Sequence, residues 1–273
     1  MAKLTHFSEL QPLPLKDPWF QIYALPGGIF AIFEPYHFQE VISYLILGSE
    51  KALLLDTGMG IGDIRALVLR LTDLPLTVVN SHSHFDHTGG NWQFDAVHLF
   101  DLPESVRLLT SGFTLPEDDE NLSPKAYQYP GELWFDPACL KVRPCRVLPI
   151  REGHVFDLGG RTLRTIYTPG HSDDSIMLAD DQNRLLFTGD TVYPAPLYAH
   201  LSQSNLETYA ATIRNLAEQF TAYTLFCSHN NPMWEGTVLP DIENAFREVR
   251  QKKQDDPDLG VCSYLFGDFS IIA

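Results

Sequence analysis

Residues 78–92 read VVNSHSHFDHTGGNW, and this stretch places three histidines and one aspartate within six positions. The four side chains are His82, His84, Asp86 and His87. The preceding residues are apolar and β-branched, which predicts a strand that continues through His84. Because side chains alternate between faces along a strand, His82 and His84 would point to the same side and could bind one metal ion together.

Asp86 and His87 follow the expected end of that strand, because residues 88–91 (TGGN) are typical of a tight turn. Their side chains can therefore point elsewhere, which suits a second ion. The alternative is a polar, histidine-rich surface loop. We favour the metal site, because closely spaced histidines repel one another when protonated and gain nothing without a metal.

Further residues of metal-ligand type stand where other apolar strands meet turns. They are His171 in TPGHS, Asp190 in TGD and His229 in CSHN. One ion takes about four ligands, so two ions need more groups than the first stretch supplies. Taken singly, these residues could equally be a turn residue, a cap and a loop residue. Together they form a series of strand-end ligands, which favours a shared metal site.

The periodicity of apolar residues predicts a mixed α/β chain. Two groups of strands with helices between them predict two sheets packed face to face, with the helices outside. The main predicted elements are strands in residues 29–35, 41–49, 51–58, 223–230 and 261–273, and helices in residues 61–73, 205–220 (with Asn205 as N-cap) and 239–254.

We expect one domain over residues 1–273, interrupted by an insertion at about residues 114–144. This segment is rich in proline, acidic and aromatic residues and shows no clear period. Long irregular loops in compact domains are often functional, so we favour a lid or pocket wall over a surface excursion or a dimer contact. The aromatic residues of the insertion are Tyr127, Tyr129, Trp134 and Phe135.

The composition is that of an acidic globular protein, with 35 acidic and 19 basic residues in 273 and a net charge of −16. Such a field repels phosphate backbones, so we expect no nucleic-acid partner. The basic cluster at residues 247–253 is typical of a solvated helix end. The first 20 residues contain no apolar leader, and no run approaches the roughly 18 apolar residues of a membrane span. We therefore expect a cytoplasmic protein without membrane contact.

The four cysteines lack the spacing of metal-binding pairs, which predicts free thiols in a reducing compartment. A pair between the first two is the minor alternative. The cysteines are Cys139, Cys145, Cys227 and Cys262.

The motifs HSHFDH, TPGHS, TGD and CSHN, in this order over about residues 42–233, resemble the metal-binding motifs of the metallo-β-lactamase superfamily. The resemblance implies an α/β (α+β) fold, a four-layer αββα sandwich with metals at one edge between two mixed sheets. Asp56 in LLLDTG matches a family aspartate that supports a ligand, although a strand-end turn residue explains it nearly as well. The implied ligands are His82, His84 and His171 for the first metal, Asp86, His87 and His229 for the second, and Asp190 bridging both.

Two divalent ions about 3.5 to 4 Å apart can share a hydroxide that is nucleophilic at neutral pH. Asp86 and Asp190 would orient this hydroxide, and Asp86 would carry a proton to the leaving group. Imidazole and carboxylate ligands favour zinc, with iron and manganese as alternatives. In the oxygen-reducing di-iron proteins of the family a carboxylate usually replaces the residue at His84, so a redox function is disfavoured.

Tyr193, three residues after Asp190, is similar in placement to a tyrosine that contacts the substrate carbonyl in N-acyl-homoserine lactonases of the family. A phenol there could donate to an oxyanion, but packing of the aromatic ring explains it equally well. His200 follows in the same loop and could line the pocket.

We therefore expect a metal-dependent hydrolase, with two zinc ions, that acts on a small ester, lactone or thioester. The alternatives are a phosphodiesterase using the same site and a non-catalytic metal-binding scaffold or sensor. The expected partner is a small-molecule substrate. The sequence leaves the oligomeric state open, with a dimer as one option.

Overall fold

The structure is a computed structural model that describes residues 2–256 and 258–273. The helices are α1 Ile64–Val68, α2 Phe85–Thr88, α3 Pro103–Ser111, α4 Leu206–Gln219 and α5 Leu239–Asp255. The strands are β1 Leu4–Thr5, β2 Gln21–Leu25, β3 Ile29–Phe33, β4 Ile42–Leu47, β5 Ala52–Leu55, β6 Leu76–Val79, β7 Val97–Phe100, β8 Phe113–Thr114, β9 Lys141–Val142, β10 Val147–Ile150, β11 Val155–Asp157, β12 Thr162–Tyr167, β13 Ile176–Asp180, β14 Leu185–Phe187, β15 Pro196–Tyr198, β16 Thr224–Phe226, β17 Met233–Glu235, β18 Ser263–Phe266 and β19 Phe269–Ile272.

The chain divides into two compact units. The N-terminal unit comprises residues 10–150 and 156–162, and the C-terminal unit comprises the residues up to Glu9 together with 151–155 and 163–273. The prediction that residues 1–273 form one domain stays a prediction.

The N-terminal unit is built on a seven-stranded sheet in the order β10-β7-β6-β5-β4-β3-β2. Strands β2 to β5 form an antiparallel meander, in which β3, β4 and β5 lie within the predicted strands of residues 29–35, 41–49 and 51–58. Strands β5, β6, β7 and β10 are parallel neighbours, and the connection from β5 to β6 contains α1. Every residue of β5 is buried. Because β5 and β6 run in parallel, the segments after both strands begin at the same edge of the sheet.

The C-terminal unit contains a seven-stranded sheet in the order β1-β17-β16-β14-β13-β12-β11. Two of the three predicted helices are confirmed as α4 and α5, which pack their apolar faces into the core of this unit. The helix predicted over residues 61–73 is shorter in the structure, where α1 covers only Ile64–Val68. The side chain of Asn205 accepts a hydrogen bond from the backbone N–H of Thr208 at 2.9 Å, which confirms it as the N-cap.

Three predictions about local structure are wrong in detail. Strand β6 ends at Val79, and residues 80–84 form bends that lead into α2, so the strand does not continue through His84. The expected turn geometry for Asp86 and His87 is also wrong, because both lie in α2. Polar side chains that contact the His87 carbonyl stabilise this helix, and strand alternation could not reveal them. Similarly, the expected C-terminal strand is a hairpin, β18–β19, because Gly267 adopts a positive φ of 75° between them.

The insertion packs against the N-terminal unit through an aromatic cluster around Trp19, which is fully buried. The Trp19 ring lies 5.8 Å from Tyr36 and 5.6 Å from Phe135, measured between ring centroids. Tyr129 stacks on Trp19 at 6.3 Å. The ends of the insertion meet in the antiparallel pair β8–β9. The segment is thus anchored by apolar contacts, and its role as a lid or pocket wall stays a prediction.

The cationic side chains of α5 form ion pairs on the surface, which agrees with the predicted solvated helix. Arg250 Nε lies 2.9 Å from Glu207, and Lys252 Nζ lies 2.6 Å from Glu248. Across residues 2–256 and 258–273, no helix combines the length and apolar character needed to cross a bilayer. Cys145, Cys227 and Cys262 are free thiols, whereas the side chain of Cys139 lies outside the described part of the chain.

We expect Trp19→Ala to lower the free energy of unfolding by about 3–5 kcal/mol, because it removes a buried aromatic side chain from the cluster that holds the insertion. Urea denaturation measures this loss, and limited proteolysis of residues 114–144 reports loosening of the insertion. Trp134→Ala is the matched control, because Trp134 is 51% exposed. Equal effects of the two substitutions would contradict the structural role of Trp19.

Candidate metal centre

The N-terminal unit brings all four residues of the opening motif together at the carboxyl end of β6. His82 and His87 are buried, and so is Asp86. The His82 ring lies 4.5 Å from the His84 ring and 4.3 Å from the His87 ring, measured between centroids. The Nε2 atom of His87 lies 3.5 Å from Oδ2 of Asp86. We refer to His82, His84, Asp86 and His87 as the N-terminal ligand group.

Asp56 orients one member of this group. Its Oδ2 atom lies 2.9 Å from Nδ1 of His87, and its carboxylate also accepts hydrogen bonds from the Ser81 N–H at 2.7 Å and the Ser81 hydroxyl at 2.8 Å. Nδ1 of His87 is thereby engaged, and Nε2 remains on the side of Asp86. A carboxylate bound to one ring nitrogen in this way fixes the orientation of a histidine whose other nitrogen binds a metal.

The backbone of Asp56 adopts a positive φ of 63°, a conformation that costs a non-glycine residue free energy. The position follows β5, and its N–H donates to the Val79 carbonyl at 2.8 Å. The buried hydrogen bonds of its carboxylate compensate this strain. The strained backbone of Asp56 is therefore explained by the hydrogen bond with which its carboxylate orients His87.

A buried amide network, which sequence reasoning missed, holds α2 from behind. The Asn80 amide donates to the His87 carbonyl at 3.0 Å, and the Asn91 amide donates to Asn80 at 2.9 Å. Thr57 donates its hydroxyl proton to Asn91 at 2.8 Å. The two asparagines flank the histidine motif in the sequence, which is the signal that could have identified them.

Glu34 is a second buried support that the sequence did not reveal. Its carboxylate accepts hydrogen bonds from the Met59 N–H at 3.0 Å and from the Trp19 indole N–H. A Cβ atom at Gly58, which has a positive φ of 66°, would clash with this carboxylate. Burial raises the pKa of Glu34 from 4.5 to about 7, although both hydrogen bonds act to lower it. Glu34 thus links the aromatic cluster to the segment that carries Asp56.

The C-terminal unit brings the other three predicted ligands together. His229 Nε2 lies 3.1 Å from the Asp190 carboxylate, and His171 Nε2 lies 3.5 Å from Asp190 Oδ2. All three side chains are buried. Strands β14 and β16 are parallel with Phe187 opposite Phe226, and Asp190 and His229 each follow three residues later. We refer to His171, Asp190 and His229 as the C-terminal ligand group.

The backbone of this second group is also held by side chains that sequence reasoning missed. The Tyr209 hydroxyl, carried by α4, lies 2.9 Å from the Asp190 carbonyl oxygen and 2.8 Å from that of Thr191. Ser204 donates to the His171 carbonyl at 2.6 Å. Tyrosine in an amphipathic helix is ordinarily a packing residue, so its sequence context gave no signal of this role.

Tyr193 is buried beside the C-terminal ligand group. Its ring centroid lies 5.0 Å from that of His229, and its hydroxyl donates to the Pro196 carbonyl at 2.5 Å. The predicted contact with a substrate oxyanion stays a prediction. His200 is exposed, and its ring lies 5.8 Å from that of Tyr198.

The chain belongs to the metallo-beta-lactamase superfamily. The sequence profile of that superfamily matches residues 40–229, which include every predicted ligand. The chain is accordingly a hydrolase of this superfamily, and the alternative of a non-catalytic scaffold is set aside.

Two curated relatives carry names of thioesterases. Acyl-coenzyme A thioesterase MBLAC2 of Gallus gallus is 32% identical over 215 residues, covering 73% of this chain and 76% of that protein. Atrochrysone carboxyl ACP thioesterase nsrC of Aspergillus novofumigatus is 26% identical over 215 residues, covering 76% of this chain and 52% of that protein.

The fold is shared with solved structures at low sequence identity. The DIM-1 metallo-beta-lactamase matches with a TM-score of 0.62 at 15% identity, covering 86% of this chain and 100% of that chain. The predicted α/β (α+β) class, with the αββα sandwich of the metallo-β-lactamase fold, is thereby confirmed.

The donor set in each unit suits a divalent metal. Each group combines buried imidazoles with a carboxylate. Within the N-terminal group, the ring centroids of His84 and His87 lie 4.5 Å and 4.3 Å from that of His82. Neutral imidazole and carboxylate are the ligands of divalent transition metals, and no thiolate is needed.

We expect Asp56→Asn to weaken metal binding about 10- to 100-fold, because the orientation and basicity of His87 depend on the Asp56 carboxylate. Competition with a chromophoric zinc chelator measures the affinity. Asp95→Asn, which removes the same charge at an exposed position, is the control. Unchanged affinity in Asp56→Asn, with the native circular dichroism spectrum, would contradict this role.

We expect the Glu34 carboxyl to destabilise the fold as the pH rises from about 4.5 to about 7. Because the folded-state pKa is raised to about 7, the unfolded chain loses its Glu34 proton first, and stability falls until the folded state ionises too. The free energy of unfolding of wild type, minus that of Glu34→Gln, should fall by about 3 kcal/mol over this range and then level off. Urea titrations at pH 4.5, 6 and 7.5 test the sign, and a rise with pH would refute it.

Proposed function

We propose that the N-terminal and C-terminal ligand groups together bind two divalent ions, with zinc as the first choice. His82, His84 and His171 would hold the first ion, Asp86, His87 and His229 the second, and Asp190 would contact both. Membership of the superfamily and the buried imidazole and carboxylate donors within each unit support this assignment.

We further propose that the reaction is hydrolysis of an acyl thioester. The observation that carries this proposal is the 32% identity, over 73% of the chain, to a protein named as an acyl-coenzyme A thioesterase. The more distant match to a protein named as an ACP thioesterase supports the same bond type. Among the predicted substrates, a thioester is therefore preferred to a lactone or an oxygen ester.

The carboxylates of Asp86 and Asp190 would accept the proton of the attacking water. When bound, divalent ions polarise the substrate carbonyl and lower the pKa of water. Asp86 and Asp190 lie beside the imidazoles of their groups, where their oxygens can orient the attacking water and accept its proton. The leaving group is a thiolate, whose conjugate thiol has a pKa near 8.5, so it departs more readily than an alkoxide. Proton delivery by Asp86 would consequently contribute less than it would for an oxygen ester.

The Tyr193 hydroxyl already has a hydrogen-bond partner, which limits how it could act in catalysis. Its hydroxyl proton is donated to Pro196, so a contact with the substrate oxyanion requires that this hydrogen bond be exchanged. Its ring packs beside His229 in either case. Tyr193→Phe retains the packing and removes only the hydroxyl, so a lower kcat in this variant would support the oxyanion contact.

We expect metal-replete wild type to cleave acyl thioesters faster than lactones, oxygen esters or bis(4-nitrophenyl) phosphate, and His84→Ala to lose at least about 100-fold in kcat/KM for the thioester. Initial rates on this matched panel make the comparison. His154→Ala is the control, because His154 is exposed and belongs to neither ligand group.

Two results would overturn the proposal. Faster cleavage of the phosphodiester than of any acyl compound would favour the predicted phosphodiesterase. Full thioesterase activity in a folded His84→Ala variant would remove that residue from the site.

A further inference from the structure

An exposed cation–aromatic pair includes Trp92, which follows the N-terminal ligand group by five positions in the sequence. The guanidinium carbon of Arg143 lies 4.1 Å from the centroid of the Trp92 ring. Trp92 is nevertheless 43% exposed, and Arg143 is exposed as well. The pair therefore presents an aromatic surface and a positive charge to solvent together.

The pair belongs to a cationic segment. Residues 141–146 read KVRPCR, with exposed Lys141, Arg143 and Arg146 in a chain of net charge −16. Lys141 and Arg143 flank the buried Val142, as expected where side chains alternate along a strand. None of the three cations forms an ion pair with another residue in the described part of the chain, whereas Arg247, Arg250 and Lys252 of α5 do.

The buried amide network connects the segments of Trp92 and of residues 141–146 to the N-terminal ligand group. We refer to Trp92, Lys141, Arg143 and Arg146 as the patch. Trp92 directly follows Asn91, whose amide contacts Asn80 at 2.9 Å and the Cys145 sulfur at 3.8 Å. Asn80 in turn donates to the His87 carbonyl. The segments that carry Trp92 and Arg143 are thus held by the network that positions His87.

The patch also lies within a limited distance of the ligands. Trp92 follows His87 by five positions, so their Cα atoms are at most about 18 Å apart. One extended substrate molecule could therefore place its thioester carbon at the N-terminal ligand group and its other end at Trp92. In coenzyme A the long phosphopantetheine arm separates the thioester from the nucleotide in this way.

We propose that Trp92, Lys141, Arg143 and Arg146 bind the 3′-phosphorylated adenosine diphosphate portion of an acyl-coenzyme A substrate. The inference rests on the proposed thioesterase function and names the substrate class. The purine stacks on the indole, and the guanidinium and ammonium groups contact the phosphates. A strongly acidic chain repels a polyanionic substrate, so a local group of unpaired cations is needed to attract it.

The experiment compares three substrates with one acyl group: hexanoyl-coenzyme A, hexanoyl-3′-dephospho-coenzyme A and hexanoyl-N-acetylcysteamine. The quantity measured is the ratio of kcat/KM for the coenzyme A thioester to kcat/KM for the N-acetylcysteamine thioester. We expect Arg143→Ala and Trp92→Leu each to lower this ratio about tenfold. Arg143→Lys, which keeps the charge but not the planar group, should lower it less.

Arg214→Ala is the matched control, because Arg214 is exposed on α4 and its loss changes the net charge equally. It should leave the ratio unchanged. The ratio of kcat/KM for hexanoyl-coenzyme A to kcat/KM for its 3′-dephospho form measures recognition of the 3′-phosphate. A lower ratio in Arg143→Ala than in wild type would assign Arg143 to that phosphate.

An unchanged ratio in both Arg143→Ala and Trp92→Leu, with active thioesterase, would overturn the inference and leave the proposed function intact. If no thioester is cleaved, the proposed function fails, and calorimetric titration with adenosine 3′,5′-bisphosphate tests the patch by itself. Binding that Arg143→Ala weakens about tenfold would support the nucleotide site. Absence of binding to wild type would overturn it.

Discussion

The buried hydrogen bond between Asp56 and Nδ1 of His87 is the contact on which the N-terminal ligand group depends. It exists because β5 and β6 are parallel neighbours, so that the segments after them start at the same sheet edge. The positive φ of Asp56 is tolerated because its carboxylate also accepts two hydrogen bonds from Ser81. The short helix α2 then presents Asp86 and His87 on adjacent positions.

The C-terminal ligand group follows the same principle with different supports. Parallel pairing of β14 and β16 places Asp190 and His229 at equal distances beyond their strands. Their backbone is held from α4 by Tyr209. In both units, therefore, strand register brings the ligands to one edge, and a buried polar side chain from another element determines their final orientation.

The distribution of charge separates two kinds of basic residue in this acidic chain. Those of α5 are compensated by nearby glutamates, as for Lys252 and Glu248, and such exposed pairs add little to stability. Those of residues 141–146 have no such compensation in the described part of the chain, and one of them, Arg143, lies over the exposed Trp92 ring. Charge counts along the sequence emphasised the first group, because it is longer. Only the contacts show that the second group differs from the first in lacking ion pairs among the described residues.

The sequence by itself determined the class of protein, because the spacing and residue types of His82, His84, Asp86 and His87 indicate a metal-binding motif without any coordinates. It also determined α4 and α5, since helical periodicity and the Asn205 cap are local signals. Only the tertiary structure decided that β6 ends early and that Asp86 and His87 lie in a helix. The physical reason is that partners distant in sequence stabilise this conformation.

The same reason explains the supporting residues that sequence reasoning missed. The contacts of Glu34 with Met59 and of Asn91 with Asn80 join segments whose proximity depends on sheet pairing. Local propensity and spacing carry no record of such pairings. The candidate ligands could therefore be identified from their chemistry, whereas the groups that orient their side chains required the fold.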